Sequence, residues 1–550
     1  MNMTKPAPTT PTGEPVSDCA ADFDAIVIGA GIGGIYQAYR LRELGLRFRV
    51  LEAGSGVGGT WYWNRYPGAR FDSESYTYAY SFSPELLAEW DWSEHFAPQH
   101  ETLRYLNHVT DKFDLRRDMQ FNSRVKAAHY QAAHRRWQLT LEDGATCTCR
   151  FLVTAMGPLS APTLPNVDGI HDFAGEWYQA SLWPKEPVSF EGKRVAVIGT
   201  GSSGVQLVQE IAKTAKQLTV FQRTPNWCAP LHNAKIGKEE MAQLRANYPA
   251  MFQRCAESPG CFIHIPDPRL TFEVPEAERL AFWEALYAAP GFGIWMGNFR
   301  DAFVSPEANA ALSAFIAGKI RQRVKDPAVA EKLIPKNHGF GTRRVPMETG
   351  YYEAYNQPNV TLVDVNESPI RRVTPRGIET ADGELPFDMI VYATGFDALI
   401  GSFDRIDIRG EDGVALKELW QRGAQTYLGI LVAGFPNLLM LAGPHMALGN
   451  APRGLEYGVE WITDLLRHAK EAGITRIAAT PERMAAWTAY VKGLGTELLA
   501  SKIDSWMTGV NKNVAGRTER SVIRFNGPAP EYRQNCDEVA AAGYRPLDLS

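Results

Sequence analysis

The sequence of 550 residues has little of what marks several classes of protein. Its seven cysteines form no CxxC pair and no cluster with metal-ligand spacing, so it predicts neither a dithiol oxidoreductase nor a metal site. Few and irregularly spaced cysteines are typical of a reducing compartment, and we expect a cytoplasmic protein. The net charge of −5 offers no basic surface to a nucleic acid.

Long apolar runs are missing as well. The longest nearly uncharged stretch, 428–444, is interrupted by Pro436 and Asn437, so no membrane span is predicted. Residues 1–21 are rich in Pro and Thr and lack an apolar segment, which indicates a disordered tail rather than a signal peptide. The chain is 45% hydrophobic and too long for one core, so we expect two or three globular domains.

A glycine-rich dinucleotide fingerprint, residues 29–34, follows the first predicted strand and opens a predicted helix. Gly29 is expected to form the tight turn, Gly31 to let the backbone approach a pyrophosphate, and Gly34 to pack the helix on the strand. The helix N-terminus then offers amide N–H groups to the phosphates. Glu52 ends the next predicted strand, 18 positions after Gly34, where a carboxylate can bind both ribose hydroxyls.

A second glycine cluster, residues 56–60, comes directly after this ribose acid. A ligand longer than one nucleotide would explain it, and the fingerprint lies near the N-terminus. We therefore predict that the first site binds FAD, with Gly59 and Thr60 among its contacts.

The second fingerprint follows the apolar strand predicted at 194–198. Its expected nucleotide contacts are Gly199, Gly201, Ser202, Ser203 and Gly204. The position that corresponds to Glu52 holds Gln222, and Arg223 and Thr224 follow. A guanidinium binds a 2′-phosphate, which a carboxylate would repel, so this site is predicted to bind NADPH through Arg223 and Thr224. The alternative is that Arg223 is a surface residue at the end of a strand.

A third motif lies between the fingerprints and runs from Phe173 through Gly175 to Trp183-Pro184. It resembles the signature of the Baeyer–Villiger monooxygenases, Phe-x-Gly-x-x-x-His-x-x-x-Trp-Pro. The histidine position carries Gln179 in this chain. Related flavin N- and S-oxygenases share the first part of the pattern but usually lack the Trp-Pro ending.

The resemblance implies an enzyme that uses FAD and NADPH on a ketone and O2. NADPH would reduce the flavin, O2 would add to it, and the resulting C4a-peroxyflavin would attack the ketone carbonyl to give an ester or lactone. A cyclic or aryl ketone fits the family, and the sequence leaves its identity open. Two alternatives remain at this point: a flavin N- or S-oxygenase using the same peroxyflavin, and a non-catalytic redox sensor.

The resemblance also assigns site residues. Residues 61–70 resemble the family's flavin-proximal loop, which places Trp61 and, just beyond it, Asp72 at the flavin. Arg343 and Arg344 match the family's Lys-Arg pair, and Trp506 matches a tryptophan that contacts the nicotinamide nucleotide. An arginine keeps its charge at any accessible pH, so Arg344 is the candidate that stabilises the peroxide anion, with Asp72 orienting it. The alternatives are an interdomain salt bridge for Arg344 and a capping role for Asp72.

Three further residues carry hypotheses. Gln179 cannot titrate, so we interpret its position as one that holds a loop against the nucleotide rather than as an acid or base. Met446 and Leu448 follow the last predicted buried strand, where ligands of open α/β sheets collect, and are predicted to line the ketone pocket. Core packing is the alternative for both.

The predicted fold is α/β, with two Rossmann-like dinucleotide-binding domains and a helical insertion. The FAD domain takes residues 22–157 and 388–550, and the strand Met389–Tyr392 marks the return of the chain to it. The NADPH domain takes 158–224 and 340–387. Residues 225–339, with apolar residues at helical spacing, form the insertion.

Overall fold

The computed structural model describes residues 21–550. The tail predicted for residues 1–21 therefore lies, apart from Ala21, outside the described residues. No helix in the described part of the chain is long and apolar enough to cross a membrane.

The first sheet has eight strands and carries the first fingerprint. Strand Phe23–Ile28 lies between Phe48–Leu51 and Thr146–Thr154 and is parallel to both. Its last four residues are buried, as a continuous apolar run in a covered parallel sheet should be. In sheet order the strands are Asp407–Arg409, Val125–Gln131, Arg136–Leu141, Thr146–Thr154, Phe23–Ile28, Phe48–Leu51 and Met119–Gln120, with Leu438–Met440 paired to Thr146–Thr154.

The second sheet has five parallel strands and carries the second fingerprint. Its order is Val360–Asp364, Gln217–Gln222, Arg194–Ile198, Met389–Tyr392 and Glu176–Gln179. Both sheets join a strand to a helix through a glycine-rich turn, so the predicted α/β fold with two Rossmann-like units is confirmed.

The domain boundary predicted at residue 388 is wrong by the length of one strand. Met389–Tyr392 pairs with Arg194–Ile198 on one side and with Glu176–Gln179 on the other, so it belongs to the second sheet. Met389, Val391 and Ala393 pack in the core of that sheet, and the chain rejoins the first core only at Leu399. An apolar strand followed by Ala-Thr-Gly fits either parallel sheet equally well, so the sequence could not tell which one it joins.

Three small sheets and a set of helices complete the fold. The small sheets are Ala229–Pro230 with Met347–Glu348, Ile370–Thr374 with Gly377–Thr380 and Gly383–Pro386, and Ile477–Ala478 with Asp548–Leu549. The α-helices are Ile32–Glu43, Thr60–Trp63, Ser75–Tyr78, Pro84–Glu89, Gln99–Lys112, Ser202–Ile211, Lys238–Glu257, Glu276–Ala288, Gly293–Met296, Pro306–Arg323, Pro327–Leu333, Tyr351–Ala354, Ile400–Asp404, Leu416–Leu419, Ala451–Ala472, Pro481–Leu494 and Ala529–Ala541. Short 3₁₀ turns lie at Leu115–Asp118, Ala132–His134, Ala180–Leu182, Leu499–Lys502 and Trp506–Thr508.

The helical insertion is divided between the two domains. Met241 and Tyr248, on helix Lys238–Glu257, and Cys261 just after it pack in the core of the first sheet. Trp283 and Leu312, on later helices of the insertion, pack in the core of the second sheet. The insertion therefore has no core of its own and fixes the two domains to each other.

Candidate active site

A cavity of about 1980 Å³ opens where the two sheets meet, and both glycine fingerprints line it. Single-ligand sites in proteins usually enclose about 300–1,000 Å³. The cavity is therefore large enough for more than one ligand. It lies outside the carboxyl ends of the fingerprint strands, where open α/β sheets bind ligands.

At the first fingerprint, close backbone contacts require glycine. A Cβ atom on Gly34 would lie 1.9 Å from the carbonyl oxygen of Gly29, and one on Gly59 would lie 2.8 Å from the Cα of Gly31. The two glycine loops therefore lie against each other. Helix Ile32–Glu43 begins after Gly31 with no side-chain cap, which leaves its first amide N–H groups free for an anion.

Glu52 lines the cavity at the end of the second strand. Its carboxylate accepts hydrogen bonds from the amides of Ala30 and Gly54, both at 2.7 Å. Burial raises the pKa of Glu52, and these backbone hydrogen bonds act against the rise. Gly59, Thr60 and Trp61 line the same part of the cavity.

The second fingerprint repeats this geometry. A Cβ atom on Gly204 would lie 2.1 Å from the carbonyl oxygen of Gly199. Helix Ser202–Ile211 begins after Gly201 and again has no side-chain cap. Gly199, Gly201, Ser202 and Ser203 all line the cavity, so a second set of free amide N–H groups faces it.

Two arginines line the cavity near the end of the following strand, one directly after it and one from a distant loop. Gln222 is buried and donates to the carbonyl of Lys332, so it faces the insertion, whereas Arg223 is exposed and lines the cavity with Thr224. Arg343 also lines the cavity and donates to the carbonyl of Asp504 at 2.6 Å. Burial lowers the pKa of Arg343; the carboxylate of Asp504 opposes this shift, and the positive charge of Arg223 adds to it. Two cations that interact at one cavity wall favour the binding of a multiply charged anion there.

Arg344 and Asp72 form an ion pair inside the cavity. The Nη2 atom of Arg344 lies 3.0 Å from Oδ2 of Asp72, whose side chain is 2% exposed. The same carboxylate oxygen accepts from the amide of Met347 at 3.2 Å. The Nη1 atom of Arg344 lies 3.3 Å from the hydroxyl of Ser202 at the start of the second fingerprint helix. Arg344 is therefore fixed at the mouth of the second nucleotide site.

Gln179 lies outside the cavity lining and contacts a crossover segment between the domains. Its side-chain amide donates to the carbonyl of Thr163 at 3.1 Å. The hydroxyl of Thr394 donates to that carbonyl at 2.6 Å, and the amide of Thr163 donates to the carbonyl of Gly395 at 3.0 Å. Gln179 thus holds two connections between the domains together through neutral hydrogen bonds.

Trp506 begins a 3₁₀ turn on a long segment near the C-terminus and lines the cavity with 37% of its side chain exposed. The same segment is bound to a crossover between the domains. Asn511 donates to the carbonyl of Phe396 at 2.8 Å, and Arg517 forms an ion pair with Asp404 at 2.6 Å. The segment that carries Trp506 is therefore held against residues 396–404.

The two residues predicted to line the substrate pocket lie in different surroundings. Leu448 lines the cavity, whereas Met446 is fully buried in the core of the first sheet. A Cβ atom on Gly458 would lie 2.4 Å from the Cε atom of Met446, so this methionine fills the space that the missing side chain leaves on helix Ala451–Ala472. The prediction for Met446 is wrong because a packing position on the helix takes its side chain.

Several cavity residues were missed by the sequence analysis. The insertion supplies an apolar wall, which consists of Phe262, Phe292, Trp295, Met296 and Phe303. The density of aromatic residues in 262–303 was a usable signal for it. Arg524 also lines the cavity, and its position between two buried apolar residues, Ile523 and Phe525, was a usable signal as well.

The arrangement combines two dinucleotide-type sites, a fixed cation and an apolar wall around one space. Two nucleotides bound there could exchange a hydride, and Arg344 could stabilise negative charge that develops on oxygen. Within residues 21–550, no group of three His, Cys, Asp or Glu side chains is arranged to hold a metal ion.

A family model described as pyridine nucleotide-disulphide oxidoreductase matches residues 26–242. This range contains both fingerprints. Its cysteines, Cys147, Cys149 and Cys228, are all free thiols. The match therefore reflects nucleotide binding and not a redox-active disulfide.

The chain is similar to named monooxygenases over nearly its whole length. It is 47% identical over 536 residues to the 2-oxo-Delta(3)-4,5,5-trimethylcyclopentenylacetyl-CoA monooxygenase of Pseudomonas putida, covering 96% of this chain and 98% of that enzyme. It is 40% identical over 532 residues to the cyclopentanone 1,2-monooxygenase of Comamonas sp. strain NCIMB 9872, covering 96% of each. The crystal structure of OTEMO in complex with FAD and NADP matches with a TM-score of 0.93 at 47% identity, covering 97% of this chain and 100% of that one.

Proposed function

The chain belongs to the Baeyer–Villiger monooxygenases, which use FAD, NADPH and O2 to convert a ketone to an ester or lactone, and we propose that Arg344 and Asp72 are its catalytic machinery. The observation that carries this proposal is their ion pair of 3.0 Å, fixed in a cavity that both nucleotide fingerprints line. Arg344 is the residue that touches the reacting atoms, and Asp72 positions it.

The first site fits FAD. At Gly34 and Gly59 neighbouring backbone atoms lie too close for any side chain. The uncapped start of helix Ile32–Glu43 favours the binding of a pyrophosphate. Glu52 lies where it can exchange a backbone amide for a ribose hydroxyl. Gly29, Gly31, Thr60 and Trp61 complete the residues proposed to hold this cofactor.

The second site fits NADPH rather than NADH. The glycine turn, Ser202 and Ser203 would hold the pyrophosphate at the second uncapped helix start. Arg223 and Arg343 provide the two positive charges that a 2′-phosphate needs, beside Thr224. Trp506 is proposed to cover the nucleotide from the C-terminal segment.

Bound FAD accepts a hydride from NADPH and, once reduced, activates O2 for transfer to the ketone. Negative charge must develop on oxygen while the carbonyl is attacked. Arg344 stabilises that charge because its guanidinium cannot lose its proton and is held in place by Asp72 and Ser202. Asp72 is buried, so water does not compete for its hydrogen bond to the guanidinium of Arg344.

The apolar wall is proposed to bind the ring of the ketone. The guanidinium carbon of Arg344 lies 5.8 Å from the ring centre of Phe292, so the fixed charge and the wall are adjacent. The rings of Phe292 and Phe262 pack edge to face at 5.1 Å, and Leu448 adds to the lining. A five-membered ring is the proposed substrate, since both named relatives act on compounds that contain one.

The test replaces Arg344 by alanine and follows NADPH oxidation, hydrogen peroxide and lactone with cyclopentanone as substrate. We expect lactone formation to fall about 100-fold or more, since removal of one preorganised donor typically has this effect, while NADPH oxidation continues and releases peroxide. Arg344→Lys should recover part of the activity. Arg321→Ala, which removes an exposed arginine of the insertion, is the matched control. Unchanged lactone formation in Arg344→Ala would remove this residue from the mechanism.

A further inference from the structure

Arg524 is a cationic residue of the cavity wall that the proposed mechanism does not use. The amide of Phe525 donates to the carbonyl of Met446, and the amide of His445 donates to the carbonyl of Ile523, both at 3.3 Å, so the segment is bound along one side. Ile523 and Phe525 are buried in the core of the first sheet. Arg524, between them, lines the cavity instead.

The guanidinium of Arg524 has no protein partner. Within residues 21–550 it makes no hydrogen bond and no salt bridge, and its Nε atom is buried. Other arginines with a buried and unpartnered Nε use their terminal nitrogens to bind a carboxylate or a carbonyl. These arginines are Arg40, Arg42, Arg65, Arg245, Arg279, Arg343 and Arg453. Arg524 therefore differs from all of them.

The carboxylates of the cavity wall are committed elsewhere. Glu52 accepts from two backbone amides, and Asp72 is paired with Arg344. Glu142 lies 3.5 Å from Arg124, and Asp504 lies 3.7 Å from Arg520. Burial lowers the pKa of Arg524 to about 10, and no acidic side chain opposes this shift. Arg524 is half-buried with its Nε atom buried, and a desolvated charge without a counter-charge is unfavourable. A bound anion would reduce that penalty.

We propose that Arg524 binds a carboxylate carried by the ketone substrate, so that the preferred substrate is a cyclic keto acid. The planar guanidinium suits a carboxylate because it can donate two parallel hydrogen bonds to it. The apolar wall of the insertion lines the same cavity and suits the ring of the same molecule. The two are connected through residues 446–450: the amide of Phe525 donates to the carbonyl of Met446, and the amide of Asn450 donates to that of Gly260, two residues before Phe262. This inference rests on the proposed function and adds the charge that the substrate carries.

The test uses two substrates, a cyclopentanone that carries an acetate side chain and the methyl ester of that acid. Both are measured with the native holoenzyme and with Arg524→Met. Methionine keeps much of the volume and removes the charge. We expect the native enzyme to prefer the acid, and the variant to raise KM for the acid about 10- to 100-fold, as loss of a charge-assisted hydrogen bond should. KM for the ester should stay within about twofold. Arg524→Lys should retain part of the preference, because it keeps the charge without the fork.

Two controls separate this role from others. Arg520→Met removes another arginine of the same cavity wall, which is already paired with Asp504 and bonded to the carbonyl of Lys502, and it should change KM for acid and ester by the same factor. The melting temperature of Arg524→Met should be equal to or above that of the native protein, because an unpaired and partly desolvated charge is lost. A lower melting temperature with KM unchanged for both substrates would make Arg524 a structural residue and overturn the proposal.

Two other results would also overturn it. The first is equal preference for acid and ester in the native enzyme. The second is a weaker binding of NADP⁺ in Arg524→Met with no effect on the acid, which would assign the anion to the nucleotide. Lactone formation from the methyl ester tests the proposed function separately, since it requires Arg344 but not Arg524.

Discussion

The carboxylate of Asp72 and the guanidinium of Arg344 meet at 3.0 Å across the boundary between the two domains. Asp72 follows Phe71, which packs in the core of the first sheet, and Arg344 precedes Val345, which packs in the core of the second. The geometry of the proposed catalytic pair therefore depends on how the domains are held together. Arg344 can therefore help to hold the two domains together and also take part in the chemistry.

Asp72→Asn should lower lactone formation about 10- to 100-fold and leave NADPH oxidation running. The amide keeps the size of the side chain and a hydrogen-bond acceptor, but it removes the charge that orients Arg344. Product yield per NADPH, measured by gas chromatography, is the readout. Asp388→Asn breaks an exposed ion pair with Arg194 and is the control for loss of a carboxylate. Equal product yields in native protein and Asp72→Asn would contradict the positioning role.

Arg223→Ala should raise KM for NADPH about 10- to 100-fold, because two charge-assisted hydrogen bonds to the 2′-phosphate are lost. NADH carries no such phosphate, so its KM should change little, and the ratio of the two KM values is the measurement. A rise of both KM values by the same factor would mean that Arg223 supports the fold of the site rather than selecting the phosphate.

Gln179→Glu should weaken NADPH binding more than Gln179→His does. Glutamate replaces the N–H donor with an acceptor that is repelled by the carbonyl of Thr163, whereas histidine can still donate. Binding of NADP⁺ followed by titration calorimetry gives the comparison. The pH profile of lactone formation should be the same for native protein and Gln179→Ala, since an amide does not titrate. A new ionisation seen only in Gln179→His would come from the introduced histidine. A profile altered by Gln179→Ala would contradict the purely positional role of Gln179.

Acid should destabilise the protein through His445. Burial lowers the pKa of His445 to about 4, and the neutral ring donates to the carbonyl of Val522 and lies 3.1 Å from the hydroxyl of Thr426. The unfolded chain binds a proton near pH 6.5 and the folded one does not, so the free energy of unfolding falls as pH drops from 6.5 towards 4. This group contributes a loss of about 2 kcal/mol between pH 7 and pH 5.

Urea unfolding at pH 7 and pH 5 measures this loss. His445→Gln removes the titration and should give a smaller change between the two pH values, even though its stability at pH 7 is lower. His338, whose pKa burial lowers to about 3, adds to the same trend and should remain in the variant. An identical pH dependence in native protein and His445→Gln would exclude His445 as a source.

The nucleotide sites could be predicted from the sequence because their constraints are local. A turn that brings the backbone of Gly29 against Gly34 needs glycine at fixed spacing, and Glu52 lies at a fixed offset from it. Which sheet a strand joins, and which neighbours a side chain packs against, depend on residues outside the local pattern. The sequence therefore misplaced Met389–Tyr392. It also put Met446 in the pocket, because no local pattern shows that its side chain packs on Gly458 of the following helix.

Residues whose role depends on what is absent around them were also beyond the sequence. Nothing in the sequence near Arg524 tells that no carboxylate reaches it, because the acids of the cavity wall come from four separate segments. The pairing of Arg344 with Asp72 was expected only from the resemblance to the family, as these residues are far apart in the chain. The cytoplasmic location stays a prediction.

The divided insertion limits how this enzyme can be recombined with its relatives. Residues 225–339 look like a cassette that could be exchanged to alter ketone choice. The polypeptide passes from one core to the other between Cys261 and Trp283, however, so such an exchange replaces buried side chains in both domains at once. The insertion also begins in the core of the second sheet, at Trp227 and Leu231, so its chain crosses between the cores twice. An exchanged insertion should therefore give a folded hybrid only where the residues it packs against in both cores are exchanged with it.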